Sequence, residues 1–506
     1  MIVLSGSSLT LAELAAIADG REHIALAPDA AERVDRARAV VDRKARGDEP
    51  VYGINTGFGA LAETPIPHDE LEQLQINLLR SHAAGVGEPL SVRAVRATMA
   101  LRANVLAKGF SGIRRTTLER LIEMVNRRVH PRVPSRGSVG ASGDLAPLAH
   151  VALVLIGEGE AAVGHSDSWL PGMEALRTAD LEPVRLGPKE GLALINGTQP
   201  SVAVAALALA TAERLARAAD VAVALSVDAL RGSVHPFDSR IHAARPHPGQ
   251  SVSAANLRLL LEGSAINKSH EHCGRVQDAY SLRCAPQVHG AARDALAFVA
   301  RTLATESNAA TDNPMVFAED DDIVSGGNFH GAPVALASDL LVMAVAQLAT
   351  ISERRSDRLV NPALSELPPF LTASSGLQSG YMMAQVTAAA LVSEVKTLAH
   401  PASVDTIPTS ANREDHVSMS MGAALKAQHA VALASRVIAV EILCACQAID
   451  LLAPISTSSR LQRVHAYIRE AVPHLSGDRP PAPDIERIAE MIVDGSLESS
   501  CAQEVK

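Results

Sequence analysis

From about residue 201 to residue 231 the chain is apolar nearly all the way round a helix, and a helix of that kind has no solvent-facing side. At 1.5 Å per residue it runs about 45 Å, so it demands other long helices around it. The sequence supplies them. Helical spacing recurs over 287–308, 332–358, 379–399 and 414–452, with breaks at Pro286, Asn313-Pro314, Pro368-Pro369 and Pro408. Together these segments form a central bundle. Hydrophobic residues make up 47% of the chain and aromatics only 2%, which leaves Ala, Leu and Val as packing material and suits close helices. The expected class is all-α.

Shorter helices are expected over 8–18, 30–46, 69–84, 92–107 and 113–127, and hairpins or loops around Trp169. Three successive domains follow: an N-terminal helical domain over 1–200, the bundle over 201–452, and short C-terminal helices over 453–506, split by Pro480-Pro481-Ala482-Pro483. Glu213, Arg214, Arg217 and Asp220 interrupt the apolar run at 201–230, so it reads as a core helix and no membrane span is expected. A net charge of −10 without a dense Lys/Arg run leaves no footprint for nucleic acid or an anionic membrane. The five cysteines form no C-x-x-C pair and no zinc-type cluster with histidine, so no metal site is expected and a reduced, cytoplasmic setting fits. Residues 1–6 do not read as a secretion signal.

The chemistry concentrates at Gly137-Ser138-Val139-Gly140-Ala141-Ser142-Gly143-Asp144, which leads into a helix start. Three glycines in that run open backbone angles closed to other residues, so peptide groups can be pressed together. Attack of the Gly143 amide nitrogen on the Ala141 carbonyl carbon would close a five-membered ring across Ser142, and loss of water would turn Ser142 into a dehydroalanine. A helix cap, with Ser142 or Asp144 as N-cap and Pro147 in the first turn, explains the same residues, and both readings can hold together. The spacing fits neither a nucleophile elbow nor a dinucleotide-binding loop.

Other stretches carry polar groups that suit a pocket. Val51-Tyr52-Gly53-Ile54-Asn55-Thr56-Gly57-Phe58-Gly59 is a loop that can present a tyrosine hydroxyl, or anchor it half-buried. His82 follows Ser81 near a helix end, and Asn196-Gly197 is a turn. The segment 275–287 gathers Gln277, Tyr280 and Arg283, whose planar guanidinium pairs bidentately with a carboxylate, of a ligand or of the protein itself. Phe329 lies in Gly327-Asn328-Phe329-His330, and Glu414 precedes Asp415-His416, where acidic residues would favour the start of a following helix.

In this order, over roughly residues 51–450, these motifs closely resemble those of the aromatic amino acid ammonia-lyases. The resemblance implies that Ala141, Ser142 and Gly143 form a 4-methylidene-imidazole-5-one electrophile without an external cofactor. It implies Tyr52 as acid/base group with Tyr280 assisting, Asn196 at the prosthetic group and the substrate amine, and Phe329 flanking the electrophile. Gln277 and Arg283 would bind substrate, the arginine through its carboxylate. His82 and Glu414 match the histidine branch, which implies conversion of L-histidine to trans-urocanate and ammonia. A tyrosine ammonia-lyase or tyrosine 2,3-aminomutase is the alternative. Family members are homotetramers with shared sites, which implies the same here. Ala279, Gly331-Ala332 and Arg413 depart from the usual pattern, and Arg413 adds a positive charge beside Glu414.

Overall fold

The computed structural model describes residues 1–47, 49–57, 64–271, 274, 276–501 and 505–506. Helix takes 59% of the chain and strand 7%, so the class is all-α with small sheets as clasps. The long helices are Gln199–Ala229, Ala285–Ser307, Ala332–Val360, Met382–Leu398 and Ser420–Leu451. Spacing placed the start of the last at residue 414, but it begins later. Met419 takes φ +59° directly before Ser420, which a right-handed helix cannot accommodate. Glu414 and Asp415 therefore sit in the preceding turn and do not face a helix N-terminus. The helix Pro248–Leu261 escaped the sequence reading because its first half holds Pro, Gly and two Ser, residues that signal turns.

Contacts group the residues into two compact units, and these interleave along the chain. One comprises Met1–Leu207, Ala300–Ser338 and Pro401–Leu425; the other Ala208–Val299, Asp339–His400 and Lys426–Lys506. The successive segments 1–200, 201–452 and 453–506 are not how contacts group, because four of the long helices give residues to both units.

In the first unit, Ala37, Val40, Val41 and Ala45 of helix Pro28–Ala45 pack with Ile54 and Val316, which anchors the turn carrying Tyr52. Strands Val129–Pro131, Glu160–Val163 and Leu170–Pro171 form the expected hairpin region, antiparallel throughout, and the Arg132 guanidinium lies 5.7 Å over the Trp169 ring. Helix Leu145–Leu155 packs on Leu71–His82 and on Glu190–Ile195, so the three elements that bear Ser142, His82 and Asn196 at their ends meet.

In the second unit, Ala346, Val395 and Leu433 join three of the long helices. Buried polar groups join the others. Arg355 binds both carboxylate oxygens of Glu441, at 2.8 Å for one, and Ser226 donates to the same carboxylate at 2.7 Å. Asp220 accepts from His289, Arg293 and Ser253 at 2.7 Å each and from Asn256 at 2.8 Å. Helices Ala332–Val360 and Ser420–Leu451 are long and apolar enough to cross a membrane, but 67% and 83% of their apolar windows are buried within the protein, the behaviour of core helices.

Candidate active site

The small-residue run folds as a loop gripped on several sides. Gly143 has φ +70° and pairs backbone to backbone with Gly197; a Cβ there would run into the Gly197 carbonyl, so only glycine fits. The same carbonyl accepts the Asp144 N–H at 2.8 Å. Upstream, Met419 donates its N–H to the Val139 carbonyl at 2.8 Å, and Ser418 donates its hydroxyl to the Gly140 carbonyl at 3.0 Å. Asp144 stands at the N-cap position, yet its side chain does not cap the helix. It accepts instead from Ser138 Oγ at 2.6 Å and from the Ser201 N–H at 2.9 Å. Burial holds its carboxyl pKa above the ordinary value, and these bonds offset only part of that rise.

A cavity of about 660 Å³ opens beside this loop. Of the residues selected from sequence, Tyr52, His82, Ala141, Ser142, Asn196, Phe329 and Glu414 line it. Ser142 Oγ donates to Glu414 Oε1 at 3.1 Å, and Thr409 Oγ1 donates to Glu414 Oε2 at 2.6 Å. The turn from 409 to 414 is closed by backbone bonds in both directions between those two residues.

Asn196 is 3% exposed. Its Nδ2 donates to the Asn313 carbonyl at 2.8 Å, while its Oδ1 has no hydrogen-bond partner among the described residues. A buried acceptor left open is costly unless something fills it. His82 Nδ1 lies 2.9 Å from the Leu78 carbonyl, and because a carbonyl only accepts, the ring proton belongs on Nδ1 and Nε2 is the acceptor. Burial lowers the His82 pKa below its ordinary 6.5, against a smaller opposing pull from the Leu78 carbonyl and Glu414. The ring is neutral at pH 7. The cavity thus presents a carboxylate, an amide oxygen and an imidazole nitrogen as acceptors, a set that suits an ammonium group and ring N–H donors.

Tyr52 is held by its neighbours: Asn55 Oδ1 accepts the Val51 N–H at 2.7 Å, and Asn55 Nδ2 donates to the Glu49 carbonyl at 2.9 Å. Phe58 and Gly59 of that motif lie outside the described residues. Sequence reasoning did not select His330 and His416, which also line the cavity and stack with centroids 5.8 Å apart and planes 6° apart. Their signal was present, since both close motifs already quoted. Arg413 lines the cavity as well.

Gln277, Tyr280 and Arg283 do not line this cavity; all three belong to the second unit. Tyr280 is 71% exposed, and the Arg283 guanidinium lies 4.6 Å over its ring. Gln277 borders a separate cavity of about 410 Å³ with Asp278 and Arg358.

Residues 9–470 match the family described as aromatic amino acid lyase. The chain is 59% identical to a histidine ammonia-lyase of Anaeromyxobacter sp. (strain K) over 98% of its own length and 99% of that protein. The crystal structure of histidine ammonia-lyase from Trypanosoma cruzi superposes with a TM-score of 0.93 at 45% identity, covering 100% of this chain and 96% of that one. A tyrosine aminomutase from Streptomyces globisporus gives 0.94 at 37% identity, covering 100% and 99%, so backbone shape does not separate these activities, whereas identity does. With matching motifs, matching architecture and full-length identity of this order, the chain belongs to the aromatic amino acid lyase family.

Proposed function

We propose that this protein is a carbon–nitrogen lyase that converts L-histidine to trans-urocanate and ammonia. One observation carries the reading: Ser142, Glu414, neutral His82 and the unfilled acceptor of Asn196 meet in one cavity, in a chain 59% identical to a histidine ammonia-lyase. The residues fit a 4-methylidene-imidazole-5-one made from Ala141, Ser142 and Gly143, because Gly143 is held at φ +70° against a wall that excludes a side chain. Once formed, that group supplies an electrophilic methylene that turns the substrate's amine into a better leaving group.

The chain's own residues do the rest. Asn196 Oδ1 accepts a proton of the substrate's amine, and His82 Nε2 and Glu414 accept from amine and imidazole N–H donors. Tyr52 is the base that takes the β-proton. Helix Leu145–Leu155 begins directly after the loop, so its positive end favours negative charge at Ser142. Gln277, Tyr280 and Arg283 are read as serving the cavity of another copy in a homotetramer, where Arg283 would fix the carboxylate and Tyr280 would assist the base; the exposure of Tyr280 and of Val276, at 71% and 95%, supports this.

Incubation with histidine, tyrosine and phenylalanine, with ultraviolet detection of the conjugated acid and an assay for β-amino acid, tests the proposal. Urocanate and ammonia from histidine are expected. No urocanate, or a β-amino acid from tyrosine, would replace it with the alternative of a tyrosine lyase or aminomutase.

A further inference from the structure

Arg102 lies in the middle of helix Val92–Ala107 and is 1% exposed. Among the described residues it forms no ion pair. Its guanidinium instead donates to three neutral acceptors: the Ala193 carbonyl through Nε at 3.1 Å and through Nη2, the Asn196 carbonyl at 2.8 Å, and Gln199 Oε1 at 2.8 Å. Burial lowers its pKa to about 10, which leaves it a cation at neutral pH. The other cation close by, Lys189, is also fully buried; it donates to the Ser111 carbonyl at 3.0 Å and lies 3.6 Å from Asp312. A buried cation facing carbonyls without its own carboxylate is an expensive way to stabilise a fold. Its geometry is the better reason for it.

That geometry leads to the loop. The acceptors at 193, 196 and 199 flank Gly197, whose φ is +156°, and a Cβ on Gly197 would strike Arg102 Nη1, Gln199 Oε1 and the Thr311 carbonyl. Gln199 is fixed in turn by donating to Thr311 Oγ1 at 2.6 Å. On its other side Gly197 carries the carbonyl that binds the Asp144 N–H and abuts Gly143. Arg102 therefore reaches the electrophile loop through one rigid residue.

We propose that Arg102 is the positioning residue for ring closure: it locks the Asn196–Gly197 backbone as the wall against which Gly143 approaches Ala141. The inference rests on the electrophile reading above. In the step it serves, the Gly143 nitrogen bonds to the Ala141 carbonyl carbon, and the carbonyl oxygen leaves as water with the amide hydrogens of Gly143 and Ser142. The Ser142 hydroxyl then leaves as a second water with the Ser142 Cα hydrogen. Arg102 touches none of these atoms.

The test uses the full-length protein with Arg102→Gln and, separately, Arg102→Lys, which keeps the charge but cannot serve three acceptors at once. The peptide holding residues 137–144 is weighed in the soluble fraction at set times after synthesis, beside helix content and melting temperature. A misplacement of order 1 Å costs about 100-fold in rate, so the glutamine variant should be folded with its peptide at the uncyclised mass, and the lysine variant should cyclise at an intermediate rate. A folded variant that melts lower but has lost both waters as fast as the wild type would overturn the proposal, because a merely structural role moves only the melt. Should the glutamine variant be insoluble, the lysine variant is judged by the same two outcomes. An intact Ser142 mass in the wild type would instead sink the electrophile reading.

Discussion

Buried clusters taken from the two units hold charge in opposite ways. In the second, the two central clusters are matched: Arg355 faces Glu441 with both at 0% side-chain exposure, and Asp220 collects four donors. In the first, two buried cations, Arg102 and Lys189, share the neighbourhood of a single carboxylate, Asp312, and Asn196 keeps an open acceptor. Matched charge ties helices together. Unmatched polarity, held in place by backbone carbonyls, marks where a ligand or a reaction is to be accommodated.

The sharpest way to break this contrast is to remove one group from each side. Ser142→Ala is expected to cut histidine turnover about a thousandfold or more. It should leave stability within about 0.5 kcal/mol, since residue 142 is only part-buried, on the cavity wall. Steady-state urocanate formation and a denaturant melt measure the two, and near-normal turnover would rule out the mechanism. Arg355→Met is the mirror image. It strands Glu441 without its cation and should cost about 3–5 kcal/mol in denaturant unfolding, far more than the serine substitution. Restored stability on adding Glu441→Leu would sharpen the point.

Much of this is legible in the sequence. The periodic apolar runs located all the long helices, because a helix without a polar side has few alternatives. Tyr52, Ser142, Asn196, Phe329 and Glu414 were legible because their motifs combine turn-forming residues with a functional side chain. Their meeting at one site was implied by the resemblance and not by spacing, since Ser142 and Glu414 lie 272 positions apart. Arg102 was invisible for a different reason. In sequence it is one arginine in an ordinary helix, and only the fold reveals that carbonyls, not water, surround it. The start of the last long helix lies later than its spacing suggests because Met419, a left-handed residue that is not glycine, stands directly before it.

Two buried groups, one in each unit, should also answer pH with opposite signs. Burial raises Asp228, in the second unit, to about 6 from 3.8, against hydrogen bonds from Thr457 and Ser264. A raised carboxyl pKa gives stability that is full below 3.8 and lost as pH rises through about 6, up to about 3 kcal/mol. His130, in the first unit, is lowered to about 4 from 6.5, chiefly by burial. Its contribution is full above 6.5 and is lost as pH falls towards 4. Unfolding at pH 5 and pH 7 should therefore show Asp228→Asn losing the wild type's gain on acidification, and His130→Asn losing its penalty. An unchanged pH dependence in either variant would remove that residue from the account.

The smallest expected effect belongs to His82, and it returns to the cavity. Its pKa is depressed by burial, so the neutral ring, with Nδ1–H on the Leu78 carbonyl and Nε2 free to accept, persists until the pH falls below the ordinary 6.5. Protonation would convert that acceptor into a donor and place a cation opposite the substrate's ammonium. The kcat/KM for histidine should then fall about tenfold per pH unit on the acid side, as one proton titrates. His82→Gln keeps an acceptor but cannot titrate; it should lower kcat/KM about tenfold at pH 8 and flatten the part of the acid limb that the histidine causes. An acid limb identical in the variant would assign that titration to another group and leave His82 a purely steric wall.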